Sequence, residues 1–359
     1  MNMNYKKIVQ TILMLIITLS LSAQKSEIYT NNLKEYNHAI ELYQNKAYVA
    51  SQQKFEEIKN NFDNLSELKA NCDYYIANAA IRLGQQNADE LMQNFVDKYP
   101  TSTKRNGAFL DIANYYYKVG KYAYAAKWYS KVKTANLTLK NEEEFNFNYG
   151  YSLFATKNFK ESQSYFLNLL NSQEYGAKAK YYYGYIAYNQ DDYATADKYL
   201  GEVIDDSSFK TDVSYYLADM NFKLGKFEKA IEFGIPLLEN AKGLEYSEIS
   251  KIVGESYFNL QKYNEAVPHL TNYKGQRGKW NNTDFYLLGY SYFKQNDFEN
   301  AIKNFNKIID GSNSVAQNAY YHLAECYLKL NKKQEALNAF RNASQMEFEA
   351  DIKKDAWLN

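Results

Sequence analysis

Proline is nearly absent from this chain: Pro100, Pro236 and Pro268 are its only three in 359 residues, and its 15 glycines recur at regular places. An all-β protein built from many short strands needs far more turn residues than this. The chain also lacks net charge, because 42 Lys and Arg balance 42 Asp and Glu. Composition therefore favours helices and gives no reason to expect nucleic acid or anionic lipid as a partner.

Cysteine and histidine are equally scarce. Cys72 and Cys326 stand about seven repeats apart in the pattern described below, so we expect two small buried side chains and no intramolecular disulfide. His38, His269 and His322 fall in different repeats, and we expect each on a helix surface, unable to share a metal or a catalytic centre.

Motifs of catalysis are missing too. The sequence has no glycine-rich phosphate loop, no paired-cysteine zinc spacing and no Gly-x-Ser-x-Gly elbow. The acidic clusters 142–144, 191–192 and 205–206 fall at predicted turns or helix starts, where carboxylates cap helices. We therefore predict a protein that is not an enzyme, with no catalytic residues, no cofactor and no metal.

The first 23 residues have the features of a signal peptide. Lys6 and Lys7 precede an apolar stretch over 8–21, which is short for a membrane span, and small residues follow at 22–23. Position 24 is Gln rather than Cys, so the sequence does not predict a lipoprotein. We expect an exported protein of the periplasm, outer membrane or cell surface, with no integral membrane span after cleavage.

One pattern recurs through the rest of the chain. A small residue is followed three later by an aromatic or apolar one, six further on by Tyr or Phe, three on by Ala, and four on by a large apolar residue. Repeat 3 runs Ala113, Tyr116, Tyr122, Ala125, Tyr129, and repeat 8 runs Gly289, Tyr292, Phe298, Ala301, Phe305.

We call the small residue of the first helix the marker. Nine markers lie 34 to 38 residues apart: Ala39, Ala77, Ala113, Gly150, Gly184, Ala218, Gly254, Gly289 and Ala324. This period and pattern resemble the tetratricopeptide repeat family, of an exported cell-envelope type. The resemblance implies an all-α, right-handed α-solenoid of about nine helix-turn-helix repeats over 24–349, with 350–359 starting a tenth repeat or forming a terminal cap.

Small residues at these positions have a physical reason. Gly or Ala at the marker lets two helix axes approach closely, and so does the Ala that follows three residues after the Tyr or Phe of the second helix. Repeat 2 departs from the pattern, with Gln86 and Asp89 where the aromatic and the Ala should stand. We expect Pro268 in the first turn of its helix and Pro236 in mid-helix, where it would kink or end the helix.

The resemblance also implies where a partner would bind. In tetratricopeptide proteins a groove is lined by first-helix residues three before, one after, four after and five after the marker. The first three of those positions are rich in aromatics here, and the candidate groove residues are Phe147, Tyr151, Phe154, Tyr181, Tyr185, Tyr188, Tyr215, Tyr286, Tyr290 and Tyr321. A competing interpretation is that many of these rings pack between adjacent helices. Glu255, four residues after Lys251, argues against the family's clamp for a terminal carboxylate.

These observations favour a non-catalytic scaffold of the bacterial cell envelope that binds a protein or peptide segment on the aromatic groove. An alternative is a glycan-binding module using the same tyrosines. A weaker alternative is an accessory factor in outer-membrane assembly or secretion, suggested by a loose likeness of 95–122 to repeats of envelope assembly factors. The sequence leaves open the partner's identity, the binding face, the oligomeric state and whether further domains follow.

Overall fold

A computed structural model describes Met14 and residues 30–63, 66–308 and 311–359; the predicted signal peptide over 1–23 lies outside these residues apart from Met14. The described residues form helices and no strand beyond a single bridge between Gln276 and Lys279. They divide into two compact units, 1–176 and 177–359. Each unit is a stack of antiparallel helical hairpins, and the prediction of an all-α solenoid is confirmed.

The described residues of unit 1 form four hairpins. Their helices are α1 (30–44), α2 (Tyr48–Ile58), α3 (Glu67–Leu83), α4 (Ala88–Lys98), α5 (Arg105–Lys118), α6 (Tyr122–Tyr129), α7 (Leu139–Ala155) and α8 (Phe159–Leu167). Each helix packs on the next in the chain order, so the apolar side of one hairpin is covered by its neighbours.

Unit 2 contains five hairpins and one more helix. The helices are α9 (Gly176–Asn189), α10 (Tyr193–Gly201), α11 (Lys210–Lys223), α12 (Phe227–Leu237), α13 (Gly243–Asn259), α14 (Tyr263–Asn272), α15 (Asn282–Lys294), α16 (Phe298–Phe305), α17 (Ser314–Lys329), α18 (Lys333–Gln345) and α19 (Ala350–Leu358).

All nine markers are buried on the first helix of a hairpin, as predicted. The four glycine markers show why the residue must be small. A Cβ added at Gly254 would lie 2.8 Å from the backbone nitrogen of Leu270, and one at Gly184 would lie 2.8 Å from the Cγ of Leu200. The second helix thus crosses directly against the marker.

The link between the two helices of a hairpin has the same geometry in every repeat. The residue seven after the marker has a positive φ in all nine repeats, between 58° and 74°. The next residue then donates its N–H to the carbonyl three after the marker, for example from Lys226 to Asn221 at 2.8 Å. This is the Schellman ending of a helix. In eight repeats the second helix begins nine residues after the marker.

Repeat 2 is the exception, in agreement with its sequence. Its second helix begins eleven residues after the marker, at Ala88, which is fully buried.

In repeats 1 and 4 a serine replaces the small Ala of the second helix, twelve residues after the marker. Ser51 donates to the carbonyl of Ala39 at 2.9 Å and Ser162 to that of Gly150 at 2.7 Å. Serine is therefore tolerated there because its hydroxyl bonds to the marker itself.

A large apolar side chain sixteen after the marker fills most hairpins, such as Phe55, Tyr129 and Phe305, each fully buried. Repeat 6 has Gly234 at this place. Val253 of the next hairpin occupies the space, because a Cβ on Gly234 would lie 2.7 Å from its Cγ2. The following hairpin thus fits more closely against α12 at this point.

Both proline predictions need correction. Pro268 is the sixth residue of α14, so its expected place in the first turn is wrong; buried Ala266 and Leu270 hold this helix together despite the lost hydrogen bond. Pro236 is the second-last residue of α12, which ends at Leu237. The mid-helix position predicted for Pro236 is wrong, but the helix ends one residue after it, which is one of the two predicted effects.

The last helix is tied down by one glutamine. Gln317 is fully buried, and its amide donates to the carbonyls of Ala343 and Met346, each at 3.0 Å. Its oxygen accepts from the N–H groups of Phe348 at 3.0 Å and Glu349 at 2.7 Å. These four hydrogen bonds fix the connection from α18 to α19. The helix α19 itself packs on α17 and α18.

Cys72 in unit 1 and Cys326 in unit 2 are both buried free thiols, as predicted. Burial raises the pKa of each thiol to about 12. No helix in the described part of the chain is both long and apolar enough to cross a membrane.

Candidate functional site

The predicted groove residues lie on one face of the first helices, which we call the first-helix face: the positions three before, one after and four after each marker. Phe147 is buried, with 7 % of its surface exposed, and the other nine are half-buried. Each of the ten rings therefore packs against neighbours, and those other than Phe147 keep part of their surface for a partner.

In unit 1 the aromatic part of this face centres on Tyr151. Its ring makes edge contacts with Tyr117 and Tyr122, at centroid distances of 5.9 and 5.2 Å. Phe147 stacks on Tyr175 at 5.0 Å. Rings of successive hairpins are thus joined along the face, and Phe147 serves mainly in packing.

In unit 2 the face begins with tyrosines of α9 and α11. Tyr185 and Tyr188 contact the ring of Tyr216 at 5.2 and 5.0 Å, and Tyr181 stacks on Tyr185 at 6.4 Å. Tyr215 lies beside Tyr216 on α11. Edge-to-face and offset contacts of this kind hold the rings in fixed orientations.

Two tyrosine hydroxyls of this face on α9 are bonded within the protein. Tyr181 donates to Asp212 at 3.2 Å and Tyr188 to Asp219 at 2.5 Å, so each hydroxyl reaches a carboxylate of the next first helix. Burial, together with the nearby carboxylate, raises the pKa of Tyr188 well above its ordinary value. Sequence reasoning assigned these hydroxyls to a partner and missed the aspartates, whose only sequence signal is an Asp 31 residues after each tyrosine.

The third aromatic group surrounds a histidine. The imidazole of His322 lies 4.9 Å from the ring of Tyr290, 5.3 Å from Phe293 and 6.2 Å from Tyr286. Its Nδ1 is 2.7 Å from a carboxylate oxygen of Glu325. The expectation of a surface position for His322 is therefore wrong, because these rings of the previous hairpin cover it.

The remaining histidines differ from each other. His38 is exposed, as expected, near Glu41. His269 is half-buried and stacks on Tyr257 at 5.7 Å, so its expected surface position is wrong as well. Burial lowers the pKa of His269, and its Nδ1 has no hydrogen-bond partner within the described residues.

Lys251 on this face is held by charges of the protein itself. Its ammonium is 3.7 Å from Glu255 and 3.8 Å from Asp284, and it lies over the ring of Tyr273 at 4.7 Å. Burial raises the pKa of the Glu255 carboxyl. Lys251 therefore cannot serve as a free cation for an anionic partner.

A polar network in unit 1 joins three first helices. The hydroxyl of Tyr74 donates to Asp111 at 2.8 Å, Asn78 also donates to Asp111, and Tyr43 donates to Asn78. The Arg82 guanidinium is 3.9 Å from Asp111. Burial raises the pKa of the Asp111 carboxyl to about 6 in spite of these donors.

A pocket lies between the first helices α11 and α13 of unit 2. Its volume is about 270 Å³, and its lining includes Tyr215 and Tyr216 from α11 and Leu244, Glu245 and Glu248 from α13. Leu244 is 75 % exposed, an unusual value for a large apolar side chain. The pocket adjoins the first-helix face at Tyr215 and has aromatic and apolar walls.

No group of three His, Cys, Asp or Glu side chains among the described residues has an arrangement that would hold a metal ion. What this face offers is stiff aromatic surface, carboxylates and a pocket. Stacked helical hairpins with such a face define a class of α-solenoids that contact other molecules through extended surfaces.

Comparison with known families agrees with this class. Residues 72–102 and 184–234 match models described as tetratricopeptide repeat, and 275–343 match a model described as anaphase-promoting complex, cyclosome, subunit 3. Within residues 72–102 and 184–234 the hairpins are tetratricopeptide repeats. No curated protein matches the chain.

Several solved structures are similar. MamA from strain AMB-1 is 20 % identical, with 50 % of this chain and 97 % of that chain covered and a TM-score of 0.42. The C-terminal part of a tetratricopeptide repeat protein from Cytophaga hutchinsonii is 15 % identical, with 68 % and 98 % covered and a TM-score of 0.46. A tetratricopeptide repeat protein from Parabacteroides merdae is 12 % identical, with 80 % and 96 % covered and a TM-score of 0.39.

Tetratricopeptide repeats bind protein partners and are typically non-catalytic interaction scaffolds. The repeats identified in this chain support the same general role, that of a protein–protein interaction scaffold.

Proposed function

We propose that this protein is an exported scaffold of the bacterial cell envelope that holds an extended segment of another protein on the first-helix face of unit 2. The observation that supports it most is the row of half-buried tyrosines on α9 and α11 beside the pocket between α11 and α13. Rigid aromatic rings supply contact area at a small cost in conformational entropy. The proposed export rests on the signal-peptide features of residues 1–23.

Crosslinking in intact cells of the source organism, followed by mass spectrometry, tests this function. We expect a stoichiometric envelope protein attached through residues of α9, α11 or α13. Fractionation of the same cells should place a chain lacking residues 1–23 outside the cytoplasm. A cytoplasmic, uncleaved protein would contradict export, and repeated experiments without a specific crosslink would contradict the scaffold.

The Tyr185→Ala variant tests the face itself. We expect it to lose the partner, since Tyr185 joins the rings of Tyr181 and Tyr216. Tyr124→Ala is the matched control, because Tyr124 is 57 % exposed on the second helix α6 of unit 1. Circular dichroism should show equal helicity for both variants. Equal partner capture by both would show that another face binds.

The glycan-binding alternative remains a second proposal, because the pocket combines tyrosine rings with carboxylates, as many sugar sites do. Binding to an oligosaccharide array separates it from the scaffold. A Tyr185-dependent signal on the array, with no protein crosslink in cells, would favour the glycan function.

A further inference from the structure

The pocket between α11 and α13 is lined by carboxylates that form no ion pair within the described residues. Asp212, Glu245 and Glu248 contribute three carboxylates to its lining. Asp212 accepts a hydrogen bond from the hydroxyl of Tyr181, which brings no charge. Within 4 Å, none of the three has an ion-pair partner among the described residues.

Two lysines of the first helices α11 and α13 are already paired. The Lys223 ammonium is 2.6 Å from Asp219, and Lys251 is shared between Glu255 and Asp284. Lys210 lines an adjoining cavity together with Glu245, without an ion pair between them. A cationic ligand would therefore meet three carboxylates that form no ion pair within the described residues.

The walls of the pocket add a second requirement. Tyr215 and Tyr216 place two aromatic rings in the lining, and Leu244 adds an exposed apolar side chain. Burial and the nearby carboxylates of Asp219 and Glu248 raise the pKa of the Tyr215 hydroxyl above its ordinary value. The ligand should thus be cationic at one end, flat enough to stack on a ring, and apolar along its length.

We propose that this pocket binds an arginine side chain in an extended segment of the partner protein. A guanidinium stacks on tyrosine rings and donates several N–H bonds to carboxylates, while its methylene groups pack on an apolar side chain. A lysine ammonium is a strongly hydrated point charge that cannot stack in this way. The proposal rests on the proposed scaffold function and adds the chemistry of the partner to it.

A peptide probe tests the pocket directly. In ¹H–¹⁵N NMR spectra, the peptide acetyl-Gly-Gly-Arg-Gly-Gly-amide should shift amide signals of α11 and the start of α13. Replacing its arginine by citrulline, which has nearly the same shape and no charge, should weaken binding about tenfold. Added salt should weaken it too. Equal binding of the two peptides, or no shift in these helices at the highest soluble concentration, would overturn the proposal.

The double variant Glu245→Gln and Glu248→Gln should lower the affinity for the arginine peptide about tenfold. The matched control is Glu228→Gln with Glu232→Gln, which makes the same change at exposed positions of the second helix α12. The control should bind like the unmodified protein. A pocket variant that binds the peptide normally would be evidence against the assignment.

Crosslinking in cells then separates this proposal from the function it rests on. Capture of the partner by the unmodified protein but not by the pocket variant supports the arginine site. Equal capture by both overturns the arginine site and leaves the scaffold function standing. Capture by neither overturns the scaffold function itself.

Discussion

At the residue scale, the four glycine markers show how little room the hairpins leave. At Gly254 the nearest atom to an added Cβ belongs to the backbone of Leu270, at 2.8 Å, and a backbone atom cannot move aside as a side chain can. The sequence pattern predicted that the marker must be small, because two helices that approach closely leave no room for a side chain there. It did not predict that the contacting residue is the one sixteen after the marker.

Gly254→Ala should therefore lower the free energy of unfolding by about 1 to 3 kcal/mol, the usual cost of overpacking. Gly201→Ala is the control, since the added Cβ would meet no atom within 4 Å at the end of α10. Alanine there should be neutral or stabilise by about 0.5 kcal/mol. Chemical denaturation of both variants measures the difference. Equal stability of the two would show that the hairpins can separate without cost.

The Asp111 carboxyl makes stability depend on pH. Its pKa in the folded protein is about 6, above the ordinary 3.8, so the folded state binds this proton more tightly than the unfolded state does. The contribution of Asp111 should thus become more favourable as pH falls from 7 to 4, by about 2 to 3 kcal/mol.

Asp111→Asn should remove this contribution, because an amide does not titrate in this range. The measurement is the free energy of unfolding of both proteins between pH 4 and 7, with the variant gaining relative to the unmodified protein as pH rises. If the two curves run parallel, burial of Asp111 does not control its ionisation.

At the scale of the helical hairpin, the link between the helices determines the repeat. The residue seven after the marker has a left-handed backbone in all nine repeats, yet glycine occupies only three of these places, Gly84, Gly120 and Gly225. The other six places have lysine, glutamine, asparagine or aspartate. A side chain at these places strains the left-handed backbone, and glycine avoids this conformational strain.

Gln261→Gly should therefore stabilise unit 2 by up to about 1 kcal/mol, because φ at Gln261 is +60°. Lys262→Gly, one residue later where φ is −88°, should bring no such gain, because any residue adopts this backbone without strain. Thermal unfolding of the two variants measures the difference. A Gln261→Gly variant less stable than the unmodified protein would mean that the glutamine side chain makes an essential contact.

Much of the hairpin was predictable, for physical reasons. Period, markers and the start of each second helix follow from side-chain size and apolar spacing, which the sequence shows directly. The bonds from Tyr181 to Asp212 and from Tyr188 to Asp219 were not predicted, because they depend on which residues of two hairpins face each other. The enclosed position of His322 was missed for the same reason. Pro268 was misplaced because local propensity is weaker than the packing around it.

At the scale of the whole molecule, each hairpin contacts mainly its neighbours in the chain. Stability in such arrays is a sum of hairpin and interface contributions, so a local defect should stay local. Hydrogen exchange of the Gly254→Ala variant should show loss of protection in α13 to α16 and unchanged protection in α1 to α4. A uniform loss over all described helices would show that the chain unfolds as a single cooperative unit.

The constant distance from marker to second helix has a consequence for how such a chain can change. Since eight hairpins share one link of identical length and backbone shape, a copied segment that begins within one such link and ends within the next could be inserted with both junctions already fitting. Duplication within the gene would then lengthen the array without any new loop having to arise. The departure in repeat 2 marks the one place where an exchanged hairpin would need adjustment of its link.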